Sequence, residues 1–134
     1  MATIIEDYVS FEVAKLLKEK GFDEDINFWY NETGNEMFFQ QKYDLMYNWR
    51  VRQGLEIYQC PTLQMAMKWL REVHNLSVEV YRTACGYVGC AVAIPSGTDI
   101  KFLEEDGDDL PSGQYTSWEK ACEATIKYCL ENLI

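Results

Sequence analysis

Three stretches of the chain repeat apolar residues at helical spacing, and each opens on a hydroxyl. Ser10-Phe11-Glu12-Val13-Ala14, Thr62-Leu63-Gln64-Met65-Ala66 and Ser117-Trp118-Glu119-Lys120-Ala121 share one order: hydroxyl, large apolar, Glu or Gln, any residue, Ala. Each hydroxyl can accept from an N–H that the first helical turn leaves unpaired, and Glu12 and Glu119 suit the positive end of the helix dipole. Thr116 with Glu119 forms an alternative capping box for the third helix. The recurrence admits a duplicated unit, although good helix starts converge on these residues and the likeness fades after the alanine. Gly21 is predicted to end the first helix in a left-handed C′ position, with Phe22 folding back toward Leu17 in a Schellman motif. The second helix carries Leu63, Ala66, Met67, Leu70 and Val73 on one stripe and stops near Asn75. The third places Trp118, Ala121, Cys122, Thr125, Cys129 and Leu133 on one face.

Between the first two helices, residues 27–30 and 36–40 flank Asn31-Glu32-Thr33-Gly34-Asn35, a turn-rich loop that predicts a β-hairpin. Residues 77–83 alternate apolar and polar positions. Residues 87–94 form a small-residue strand after Gly86, 99–103 a further one beyond Pro95-Ser96-Gly97, and 55–58 an additional short one. Residues 41–54 and 104–109 read as loops. The order α-ββ(β)-α-βββ-α predicts one α+β domain over residues 1–134, a mostly antiparallel sheet of about five strands with three helices on one face.

Charge narrows the partners. With 22 Asp and Glu against 12 Lys and Arg the chain carries −10, which disfavours nucleic acid and anionic membrane, since both reward basic residues. No apolar run approaches the ~20 residues of a membrane span, and residues 1–7 lack the basic start of a secretory signal. A cytoplasmic protein is predicted. The five cysteines form an odd set without a CxxC pair, so reduced thiols are expected, with Cys122 and Cys129 in the core.

Candidate chemistry is sparse. The acidic run Glu104-Glu105-Asp106-Gly107-Asp108-Asp109 lacks the ligand order of an EF-hand and reads as a solvated loop, or as negative charge shown to a basic partner. Cys85 and Cys90 would need two more soft ligands to close a zinc site, and no spacing ties the single histidine, His74, to them. His74 is expected to cap the carbonyls at the end of the second helix. No phosphate-binding loop or nucleophile elbow occurs. No cofactor, metal or catalytic residue is assigned, and the balance leans away from an enzyme.

The unusual stretch is residues 28–58, which holds nine of the 19 aromatics. A strand can bury one face against helices, so some of these rings should lie on the surface; the alternative is that they fill the core and cover the far side of the sheet. Exposed rings beside arginines suit protein hot spots or stacking on a planar ligand. Tyr43, Tyr47, Trp49, Arg50 and Arg52 are therefore the candidate ligand- or partner-binding residues.

Tyr8 to Phe22, then Pro61-Thr62, Ala66 and Trp69-Leu70-Arg71-Glu72, then Tyr115, Trp118-Glu119, Ala121 and Leu130-Glu131 together resemble a group of short uncharacterised proteins of gut-dwelling anaerobic bacteria, often encoded on prophages or mobile elements. The resemblance covers about a third of the chain and implies a small cytosolic accessory protein, with no catalytic residue to carry over. A phage-related, non-enzymatic protein-binding module is the leading expectation. The alternative is a small-molecule or nucleobase-binding domain, enzymatic or not. The partner is expected to be an unidentified protein, and the sheet edge leaves homodimerisation by strand addition open.

Overall fold

A computed structural model describes residues 7–42, 44–84, 86–93, 99–103 and 115–134. The elements run α1 (Phe11–Glu19), β1 (Phe28–Tyr30), β2 (Met37–Phe39), α2 (Leu45–Arg52), β3 (Tyr58–Gln59), α3 (Leu63–His74), β4 (Leu76–Arg82), β5 (Tyr87–Ala93), β6 (Asp99–Leu103) and α4 (Trp118–Asn132). The α+β class holds. Two features differ from the expectation: the strands divide between two three-stranded antiparallel sheets, β2-β1-β3 and β4-β5-β6, and there is a fourth helix.

The helix starts follow their chemistry. Ser10, Thr62 and Ser117 cap α1, α3 and α4, each side chain accepting from the N–H three residues on, at Val13, Met65 and Lys120. Ser117, not Thr116, is therefore the cap of α4. The position three residues after Ser10 is Val13, which cannot return a hydrogen bond to the cap as a capping-box Glu would. Glu123 of α4 takes that part, its carboxylate accepting from the Ser10 N–H at 2.8 Å.

α1 ends as its sequence predicts. The Phe22 N–H reaches Leu17 O at 2.9 Å and the Gly21 N–H reaches Lys18 O at 3.1 Å, with Gly21 at φ +91°. These are the two bonds of a Schellman motif, and Leu17 and Phe22 meet in the core.

Residues 45–52 correct the expectation of a loop. Asp44 caps α2 by accepting from the Tyr47 N–H. The far end is a second Schellman motif: Leu55 N–H to Arg50 O and Gly54 N–H to Val51 O, both 3.1 Å, with Gly54 at φ +72°. Periodicity does not reveal this helix, because its apolar residues fall on all sides and none of its eight residues is buried.

The main core lies where α3 and α4 pack against β4 and β5 and α1 packs against α4. Val13, Leu17, Leu63, Leu70, Ile126, Cys129 and Leu130 fill it. α4 and β5 approach closely at Gly89, where an added Cβ would lie 1.9 Å from the Thr125 hydroxyl and 3.1 Å from the Ala121 carbonyl.

The small sheet is tied to this core through α1, which also packs on β3. Register places Trp29 opposite Phe38 and Gln59, and Tyr30 opposite Met37 and Tyr58. Alternation then sends Trp29 to one face of the sheet and Tyr30 to the other. The expected strand at 55–58 begins only at Tyr58. The acidic run at 104–109, the turn at 95–97, Tyr43 and Cys85 lie outside the described residues.

Candidate functional site

Exposure separates the aromatics of residues 28–58 into three groups. Trp29 is buried, with only 4% of its surface accessible, and its indole N–H donates to Gln40 O at 2.8 Å. Tyr30, Phe38, Tyr47 and Tyr58 are half-buried. Phe28, Phe39 and Trp49 are exposed. Core filling and surface display thus both occur within one short stretch.

Tyr47 and Arg50 of α2 contact the small sheet. The Tyr47 ring tilts against Trp29 with centroids 5.7 Å apart, and the Arg50 guanidinium lies over the Phe38 ring at 4.4 Å. A helix advances 100° per residue, so Leu45, Met46 and Trp49 share the opposite, outer side. They are 87%, 51% and 49% exposed. Arg52 is exposed in the last turn, where a cation is favoured by the helix dipole.

The candidate residues therefore do not converge. Tyr47 points inward, Arg50 lies on Phe38, and Trp49 and Arg52 face solvent; Tyr43 lies outside the described residues. Leu45 and Met46 belong to the exposed surface with Trp49 and were not singled out by an argument from aromatics. The signals that could have found them are the bracketing Asp44 and Gly54, a cap and a C′ glycine ten residues apart.

Beneath the helix lies a cleft of about 320 Å³ lined by Ala14, Lys18, Gly21, Phe22, Trp29, Tyr47, Val51, Leu55, Ile57 and Gln59 among others. Both Schellman turns contribute to its wall. Several of its polar groups bond within the protein: the Lys18 ammonium donates to Ile57 O at 3.2 Å and pairs with Glu56 at 3.4 Å, and Asp23, also in the wall, pairs with Lys42. Gln59 donates to Glu24 O and Ile26 O and accepts from the Glu24 N–H.

A second apolar surface lies on the far face of the small sheet. Tyr8, Phe28 and Phe39 form a row of exposed rings, with successive centroids 5.7 Å apart, and Met37 is exposed beside them on the edge strand β2.

Other candidate groups read as structural. Burial pushes the Cys60 thiol up to about 11, and those of Cys122 and Cys129 up to about 12, so they are poor nucleophiles at neutral pH. Cys90 is buried as well. His74 corrects the expectation of a carbonyl cap. Its ring stands edge-on to Trp69 at 4.6 Å, its Nε2 is buried without a hydrogen-bond partner, and the Leu70 carbonyl accepts from the Asn75 N–H instead. The physical reason is the left-handed Asn75 at φ 56°, which lets the backbone close the helix itself. Among the described residues no group of three or more His, Cys, Asp or Glu is placed to hold a metal, and no helix is long and apolar enough to cross a membrane. Comparison with known protein families, curated proteins and solved structures found no match.

Proposed function

We propose that this chain is a non-enzymatic protein-binding module and that the outer side of α2 is its docking element. One observation carries this reading: an eight-residue helix buries none of its residues while holding Leu45, Met46 and Trp49 in solvent. The Asp44 cap, the Schellman closure at Gly54 and the inward contacts of Tyr47 and Arg50 hold the helix without burying Leu45, Met46 or Trp49, so those three side chains are free to meet a partner. Contiguous exposed apolar surface of this kind marks interaction sites, and tryptophan is enriched among the residues that dominate binding energy.

The cleft beneath α2 favours a small-molecule reading less. Tyr47 lines it, but Lys18 and Gln59 already bond to the protein itself, leaving few convergent polar groups to orient a ligand. An accessory part in a bacterial cytoplasm, as expected from the sequence resemblance alone, remains part of the proposal.

Capture from a bacterial lysate on the intact chain, run beside Leu45→Asp and Trp49→Ala variants that keep the native circular dichroism, tests the reading. A protein retained by the native chain and lost with both variants is the expected result. Identical capture by all three would overturn it.

A further inference from the structure

We infer that the segment docking on α2 is acidic as well as apolar, an Asp- or Glu-bearing peptide stretch with large hydrophobic anchors; this rests on the docking role proposed for α2. The helix carries two arginines and no acid in a chain whose net charge is −10. Of the carboxylates at its borders, Asp44 stands at the far end of the helix from Arg52 and Glu56 is already paired. Asp44 accepts from the Tyr47 N–H and the Gln40 side chain, and Glu56 pairs with Lys18.

Arg52 is exposed and has no ion pair among the described residues. Arg50 lies over Phe38 with its Nε buried and without a hydrogen-bond partner. The outer side of α2 thus sets one exposed guanidinium, that of Arg52, beside the apolar Leu45, Met46 and Trp49.

That juxtaposition gives direction. An acidic segment with apolar side chains can pair with the Arg52 guanidinium while it covers Leu45, Met46 and Trp49, whereas a basic segment would set like charge against Arg52. Leu45, Met46 and Trp49 then supply the desolvated centre that a charge pair at the rim cannot. Nucleic acid and anionic membrane fit less well. Binding either takes several cationic contacts, and the outer side of α2 offers the one exposed guanidinium of Arg52.

The test is selection of random peptides displayed on phage against the immobilised intact chain. Enriched peptides are expected to combine Asp or Glu with Leu, Phe, Trp or Met. Their affinity should fall on the order of tenfold with Trp49→Ala and with Arg52→Glu, and should weaken as salt is raised. Both substitutions fall on exposed side chains, and circular dichroism confirms that the variants are folded. Peptides that depend on Trp49 but ignore Arg52→Glu, or that are basic, would overturn the acidic class and leave the docking face standing. No enrichment, or binding indifferent to Trp49→Ala, would overturn both. Light scattering that shows a Trp49-dependent dimer, or a Trp49 fluorescence shift with phosphatidylserine vesicles or single-stranded DNA but not with the peptides, would assign the face to those occupants and overturn the inference.

Discussion

At the scale of single residues, identity and role part company. Trp29 and Trp49 are the same side chain twenty positions apart, yet one anchors the small sheet and the other faces water. Gly89 is a sharper case. Its missing side chain is what allows β5 to lie against α4, since a methyl group there would collide with the Thr125 hydroxyl, itself donating to Ala121 O at 2.8 Å. Gly89→Ala is expected to cost ~1–3 kcal/mol through overpacking, measured by chemical denaturation. Combining it with Thr125→Ala should cost less than the two changes summed, because the second removes the obstructing hydroxyl. Strict additivity would show that the two residues do not press on one another.

At the scale of elements, similar cap chemistry should have unequal consequences. Thr62 and Asp44 each accept a hydrogen bond from the N–H three residues on, and removing either cap should cost its own helix ~1 kcal/mol. α3 carries Leu63, Ala66, Met67 and Leu70 into the core, so Thr62→Ala should lower global stability by about that amount. α2 has no fully buried residue, so Asp44→Ala should leave the global unfolding midpoint nearly unchanged and instead speed hydrogen exchange of the α2 amides. Equal losses of global stability in the two variants would contradict the picture of α2 as a weakly anchored, displayed helix.

At the scale of the whole molecule, the resolved proton affinities all lean one way. Burial raises the Cys60, Cys122 and Cys129 thiols from 9.0 to about 11 or 12, and burial also raises Tyr30. In each case the folded chain holds its proton more tightly than the unfolded one. Their stabilisation is therefore fully present below pH 9, the ordinary thiol value, and is lost as pH rises toward about 12. The thermal midpoint should fall steadily across that alkaline window, and Cys129→Ala should make the decline shallower. A flat profile there would argue that these thiols are open to water.

Much of this architecture was legible in the chain because it is written in local chemistry. A capping hydroxyl, a C′ glycine with an apolar residue after it, and an apolar stripe at helical spacing act within a few residues of one another, so α1, α3 and α4 and the 28–39 hairpin could be placed from sequence. α2 was bracketed by equally local signals, Asp44 and Gly54, but without a buried stripe its pattern offered nothing to a reading by periodicity. Strand partnership, the division into two sheets, the pairing of Glu123 with the cap of α1 and the choice of which aromatic rings meet water depend on segments far apart in the chain. Tertiary structure alone decided these, because burial belongs to the surfaces that meet and not to the residue that supplies them.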